Sequence, residues 1–194
     1  LIITHYDSDH IGGAAALLDY AEVGEVLVPA YSKGSSTYRR FTAAMEAAGI
    51  QTTALTETLT FELDRAQYTV YPPERTSYPN NEDNEYSLIV GVTHGENRFL
   101  FAGDALTERL GEFTALGEGT YDFLKVSNHG DYFEGVEAFF RAVSPKYAAI
   151  TCSDKNPADA RTVSALEAVG AQVFLTRDGS VKVTSDGRTI SVLQ

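Results

Sequence analysis

Strands alternating with helices, interrupted by hairpins, predict an α/β (α+β) fold in which a mixed sheet is covered by helices. Three observations carry this expectation. The C-terminal half repeats a rhythm of helix at 133–143, strand at 147–151, helix at 158–169 and strand at 172–176. The middle of the chain alternates polar and apolar residues, as in Gln67-Tyr68-Thr69-Val70, which is the period of a half-buried strand. The length of 194 residues suits one domain with a full hydrophobic core, so 1–194 is read as a single unit.

Taken in order, the chain opens on an apolar strand-like run, Leu1-Ile2-Ile3, then a polar stretch and a small-residue helix over 12–20. Residues 25–30 read as a short strand, 31–36 as a loop of turn residues and 37–48 as a helix. Ser36 is the expected N-cap of that helix, and Gly49 lies just past its end. Lys33, Arg39 and Arg40 gather near the helix start; they read first as a solvated face and second as an anion-holding rim. Residues 51–71 hold two or three strands, ended by Pro72-Pro73. The polar segment 74–85, with Pro79, Asn80 and Asn81, reads as a surface loop. Tyr71, Tyr78 and Tyr86 beside it offer stacking surfaces, but at least two of them are expected to serve packing.

Residues 87–93 and 98–102 form a hairpin about His94-Gly95-Glu96-Asn97, which leaves His94 exposed and away from any site. Its second strand delivers Gly103-Asp104, and 123–127 delivers Asn128-His129-Gly130. Turns at Asp178-Gly179 and Asp186-Gly187 close the chain as hairpins.

The formal net charge of −12 argues against an extended DNA-binding face, because sequence-independent affinity for DNA comes from Lys and Arg neutralising phosphates. No apolar run is long enough to span a bilayer, so no membrane contact is expected from this segment. The lone cysteine, Cys152, cannot form an intrachain disulfide and reads as an apolar residue at a strand end.

The densest chemistry lies in Thr4-His5-Tyr6-Asp7-Ser8-Asp9-His10-Ile11-Gly12-Gly13. Four potential ligands, His5, Asp7, Asp9 and His10, fall within six residues. Imidazole and carboxylate are the groups that hold Zn²⁺, Mn²⁺ or Fe²⁺, and a turn brings alternate residues to one point. No G-x-S-x-G elbow or reactive-cysteine pattern offers a protein nucleophile instead.

This stretch resembles the H-x-H-x-D-H signature of metallo-β-lactamase-fold hydrolases. In the form H-x-D-x-D-H-I-G-G it is similar to the hydrolase domain of ComEC-type competence (DNA-uptake) proteins and their stand-alone relatives. The likeness continues through Ser87-Leu88-Ile89-Val90, the segment 99–105 (F-L-F-A-G-D-A) and the segment 123–131 (F-L-K-V-S-N-H-G-D). It implies an αββα sandwich of two mixed β-sheets flanked by helices, with ligands drawn from loops along one edge. It also implies strands ahead of the first motif. Leu1 opens inside a strand, so the sequence is expected to be N-terminally incomplete, with residues 1–4 exposing an open sheet edge. Whether the domain is cytoplasmic or extracytoplasmic would follow from that preceding segment.

Carried over residue by residue, the resemblance implies that His5 and Asp7 hold one divalent metal, and Asp9, His10 and His129 a second. Asp104 would bridge them, since a carboxylate has two oxygens. Zn²⁺ or Mn²⁺, up to two ions, is the implied cofactor. Asp9 and Asp104 are the implied catalytic carboxylates, Asn84 and Asn128 the implied substrate contacts. The implied reaction is hydrolysis of a phosphodiester or nucleic acid by a metal-activated hydroxide.

Three departures qualify this. Asn84 stands where many enzymes of the fold place a histidine ligand, which favours a harder ion such as Mn²⁺ or a weak first position. Asn128 stands where relatives read H-H-G, and an amide is no general acid near neutral pH. Asn156-Pro157 stands where relatives carry G-H-P. The alternative to a phosphodiesterase is therefore a catalytically weakened or inactive metal-binding module of the same fold. Hydrolysis of a lactam or thioester ranks third.

Overall fold

A computed structural model describes residues 1–79 and 82–194; Asn80 and Asn81 of the expected surface loop lie outside the described residues. Its centre is a seven-stranded mixed sheet in the order β3 (Leu59–Leu63), β4 (Ala66–Tyr71), β5 (Ile89–His94), β6 (Asn97–Phe101), β7 (Phe123–Lys125), β8 (Tyr147–Ile150) and β9 (Gln172–Leu175). The β3–β6 meander is antiparallel, and β6 to β9 run parallel. The parallel strands are joined by the helices α4 (Thr107–Ala115), α5 (Val136–Val143) and α6 (Ala160–Ala168). The mixed sheet covered by helices is the one the helix–strand rhythm predicts.

Alternation sorts the sheet's two faces. Ile89, Leu100, Leu124, Ala148 and Ile150 point into one core with Leu110, Phe113, Phe139, Phe140 and Leu166 of the three helices. In α5 the buried positions Val136, Phe139, Phe140 and Val143 follow the 3.6-residue period of a one-faced helix. Val70 and Val90, on the opposite face, pack against Leu27 and Leu55. Leu27 belongs to β1 (Glu25–Pro29), which pairs in parallel with β2 (Gln51–Leu55). The other face of β1, Val26 and Val28, meets Phe41 and Met45 of α3 (Ser36–Ala47). Beside this small sheet, the hairpin β10 (Lys182–Ser185) and β11 (Ile190–Leu193) helps cover Phe99, Phe123 and Ala149. Helices, large sheet, small sheets and helix therefore stack in the αββα order, with the second sheet split into two pairs.

Several boundaries move. The helix expected over 12–20 is only the short α2 (Ala14–Leu17), and a separate helical turn, α1 (Ser8–Ile11), precedes it across Gly12-Gly13. The N-cap of α3 is Ser35, not Ser36; its hydroxyl accepts from the Tyr38 amide at 3.1 Å. Of the two expected closing turns, Asp186-Gly187 joins β10 to β11, whereas the turn at Asp178-Gly179 leads out of the large sheet altogether. His94 is half-buried rather than exposed, because its Nδ1 meets Ser185 Oγ of the closing hairpin at 2.9 Å. Cys152 follows β8, half-buried, its amide donating to Thr176 Oγ1 at 2.8 Å.

Residues 1–3 lie alongside β1 through the parallel bridge Ile2–Leu27 and pair with no other strand among the described residues. This stretch borders β1 on the side away from β2. At its far end the Leu88 amide donates to Thr4 O at 2.8 Å, which ties the first motif to the start of β5.

Candidate metal centre

Every chemistry-bearing loop leaves a strand at the same edge of the sandwich. Residues 1–4 deliver His5, the end of β6 delivers Asp104 and the end of β7 delivers His129. Parallel strands place their carboxyl ends together, which gathers side chains far apart in sequence into one crevice.

The first motif is a cap rather than a loop. Asp7 is extended (φ −71°, ψ 152°) and its carbonyl accepts from the amides of His10 and Ile11, both at 3.0 Å. Asp9 and His10 thus ride on the first turn of α1, and Ile11 is buried beneath them. Asp104 follows Gly103, whose φ of +56° turns the chain sharply at the end of β6. The Asp104 amide then donates to the buried Ser87 hydroxyl at 3.2 Å.

His129 reaches the crevice through an unusual backbone. Asn128, His129 and Gly130 all have positive φ, at 42°, 51° and 81°. Two non-glycine residues in a row in that region cost free energy, and such strain persists where surrounding structure imposes it. Gly130 is required by space as well: a Cβ there would lie 2.6 Å from Ile150 Cγ2.

The outcome is a tight cluster. Donor atoms of Asp9, His10, Asp104 and His129 all lie within 4.8 Å of one another. Asp104 Oδ2 is 3.1 Å from His10 Nε2, 3.2 Å from His129 Nε2 and 3.9 Å from His5 Nε2. Asp9 Oδ2 is 3.1 Å from His129 Nε2, and Asp7 Oδ2 is 3.8 Å from His5 Nε2. All six expected ligands therefore converge on one crevice. The two oxygens of Asp104 face different partners. Oδ2 alone faces the histidines, because Oδ1 is turned to Lys125 Nζ at 3.4 Å.

Charge and burial set the protonation states. Burial pushes the His5 imidazolium down to about 4, reinforced by neighbouring His10 against the pull of the carboxylates. Burial alone would raise Asp104; hydrogen bonds from His10 and His129 and the charge of Lys125 instead hold it well below the usual carboxylate range. His129 moves the other way, to about 9, through its hydrogen bond and attraction to Asp104. Lys125 is lowered by burial, with Asp104 opposing.

These residues fit a divalent cation. His5 Nε2 is buried and has no hydrogen-bond partner among the described residues, although it points at two carboxylates. An unpaired buried polar atom is costly unless something else satisfies it. The ring nitrogens turned away from the cluster are held as ligand histidines usually are. His129 Nδ1 meets the Thr151 carbonyl at 2.9 Å, and Thr4 Oγ1 lies 3.1 Å from His5 Nδ1 and 3.3 Å from His10 Nδ1. The set mixes three imidazoles with carboxylates, which suits Zn²⁺ or Mn²⁺.

The expected substrate contacts, Asn84 and Asn128, are paired with each other, Asn84 Nδ2 donating to Asn128 Oδ1 at 3.3 Å. That leaves the Asn128 NH₂ group directed towards Asp131 Oδ2, 3.5 Å away. Asn84 sits on a 3₁₀ turn, Asp83–Tyr86, anchored from behind. Buried Glu85 accepts from the amides of Glu108 and Arg109 at the start of α4, and Arg109 Nε donates to Ser87 O at 3.0 Å. Beside the cluster lies an open polar cleft of about 690 Å³, lined by Asp9, His129, Thr151, Ser153, Lys155 and Asn156 among others. Tyr71 and Tyr78 are buried packing residues, and Tyr86 stacks on Tyr31 at 4.4 Å.

Sequence reasoning missed two lysines. Lys125 was legible only as part of a motif, and its contact with Asp104 depends on the pairing of β6 with β7. Lys33, read as a solvated face or anion rim, has its Nζ between Asp7 Oδ1 and Asp83 Oδ2. Neither contact leaves a signal in the spacing.

Comparison with known proteins bears on the family and the fold. A model of the metallo-β-lactamase superfamily matches residues 1–153. ComE operon protein 3 of Bacillus subtilis is 29% identical over 162 residues, covering 80% of this chain and 20% of that protein. Recombination protein 2 of Haemophilus influenzae is 27% identical over 157 residues, covering 81% of this chain and 18% of that protein. This chain thus spans about a fifth of the length of either relative. Among solved structures, Igni18, a metallo hydrolase from Ignicoccus hospitalis, superposes with a TM-score of 0.56 at 14% identity, over 100% of this chain and 78% of that one.

Proposed function

This chain belongs to the metallo-β-lactamase superfamily, and on that premise we propose that it is a metal-dependent hydrolase of phosphodiesters, in nucleic acid or a smaller molecule. The observation that carries the reading is the convergence of three histidines, His5, His10 and His129, on Asp104 Oδ2, with His5 Nε2 buried and without a partner among the described residues. The names of the two competence and recombination relatives favour a nucleic-acid substrate.

In this proposal His5, Asp7, Asp9, His10, Asp104 and His129 hold one or two divalent ions, Zn²⁺ or Mn²⁺. Such ions supply Lewis acidity and lower the pKa of water. Asp104 keeps its charge through its histidine contacts and Lys125, and so balances the cationic centre. Asp9 has the most exposed carboxylate of the cluster, 59% in its side chain, which supports assigning it the proton from attacking water. Asn84 holds the Asn128 carbonyl oxygen, and the Asn128 NH₂ group, turned towards Asp131, would exchange that contact for a phosphoryl oxygen. The net charge of −12 limits the enzyme to a short stretch of backbone rather than a long duplex.

Asn128 also favours a second reading, a catalytically weakened metal-binding module. Its amide cannot protonate a leaving alkoxide, and it is tied up with Asn84. One experiment separates the two. Mn²⁺-dependent cleavage of bis(p-nitrophenyl) phosphate should be measurable in the parent, fall by at least ~100-fold in Asp104→Asn and rise in Asn128→His. A parent and an Asn128→His variant that bind Mn²⁺ yet cleave nothing would establish the module instead.

A further inference from the structure

The cluster has two halves that share Asp104 but differ in their private carboxylates. Around Asp9 the nearest partners are imidazoles, His129 at 3.1 Å and His10 at 3.6 Å. Asp7, on the other side, presents Oδ2 towards His5, while its Oδ1 is engaged by the Lys33 ammonium. Lys33 comes from the loop after β1 and is only a quarter exposed, held in place by Asp83 as a second partner. Lining a small recess of about 270 Å³ with Asp7 and Asp9, it stands directly beside the centre.

We propose that Lys33 is a tethered cation that makes the two metal positions unequal. The position at Asp9, His10, Asp104 and His129 binds tightly, and the position at His5, Asp7 and Asp104 binds weakly and exchanges. The inference rests on the reading of this cluster as a divalent-metal centre. Its physical basis is simple. An ammonium bound to one oxygen of a carboxylate withdraws negative charge from the other, and its own positive charge repels an incoming cation. The cost falls on the half that uses Asp7, because the contact is to Asp7 alone among the six donors. Asp83 draws off part of the lysine charge without being a ligand, which grades the effect rather than abolishing the position. The buried, unpaired His5 Nε2 shows that the weak position is still built to receive something.

The test is calorimetric titration of chelator-stripped protein with MnCl₂ and, separately, ZnCl₂, with bound metal counted by mass spectrometry. The parent should take one ion tightly and a second at least ~10-fold more weakly. Lys33→Met should tighten the second ion by at least ~10-fold with little change in the first, and Lys33→Arg should preserve the gap. Should the Met variant fail to fold, Lys33→Gln reads the same quantity. Two equal sites in the parent, or a second site left unchanged or weakened by loss of the lysine charge, would overturn the proposal. Ion counting is independent of turnover. Unequal ions without phosphodiester cleavage would remove the hydrolase reading alone, and cleavage with two equal ions would remove this inference alone.

Discussion

The two histidine-bearing segments of the crevice reach it by opposite means. Residues 5–10 do so with ordinary backbone: an extended Asp7, then a helical turn that stacks Asp9 and His10. Residues 128–130 do so with three consecutive left-handed conformations packed against Ile150. Near neighbours can share a site for the cost of one turn. A residue more than a hundred positions away must be turned back towards them, and local strain is the consequence.

The sharpest way to break this comparison is at its glycines. Gly130→Ala places a methyl 2.6 Å from Ile150 Cγ2 at a φ of 81°. Overpacking and left-handed strain together should destabilise by about 2–4 kcal/mol. In a chain of this size that lowers Tm by roughly 5–15 °C, measured by calorimetry, and metal binding should weaken with it. A variant as stable as the parent would show that the 128–130 turn is not strained.

A middle-sized effect should appear in the pH dependence of the chelator-stripped protein. His5 is held down to about 4, so between about pH 4 and the ordinary histidine value the unfolded chain binds more protons, and stability rises with pH. His129 is raised to about 9, so its contribution is complete below the ordinary histidine value and is lost as pH rises through about 9. Tm should therefore peak near neutrality, with His5→Gln flattening the acid limb and His129→Gln the alkaline one. A monotonic Tm profile would contradict these opposite environments.

The smallest effect belongs to Gly13→Ala. Gly13 has a right-handed φ of −90°, and nothing lies within 4 Å of a Cβ placed there. Alanine should leave stability unchanged or raise it by up to about 1 kcal/mol through the unfolded state. A loss comparable to that of Gly130→Ala would erase the contrast between the segments.

The candidate ligands were already marked in the amino-acid sequence. The spacing of His5, Asp7, Asp9 and His10, the Gly-Asp pair ending one strand and the Asn-His-Gly ending another are local patterns. Local patterns survive in a one-dimensional string because hydrogen-bonded turns and strand alternation act over a few residues. The helix–strand rhythm of the C-terminal half was readable for the same reason, and α5 lies within the helix expected over 133–143. Tertiary structure alone decided how each donor is presented. That only one oxygen of Asp104 faces the histidines follows from β6 lying beside β7, which brings Lys125 to the other. The hold of Lys33 on Asp7 depends on where the loop after β1 meets the 83–86 turn. Such contacts join segments whose separation along the chain carries no period, so their chemistry exists only once the strands have paired.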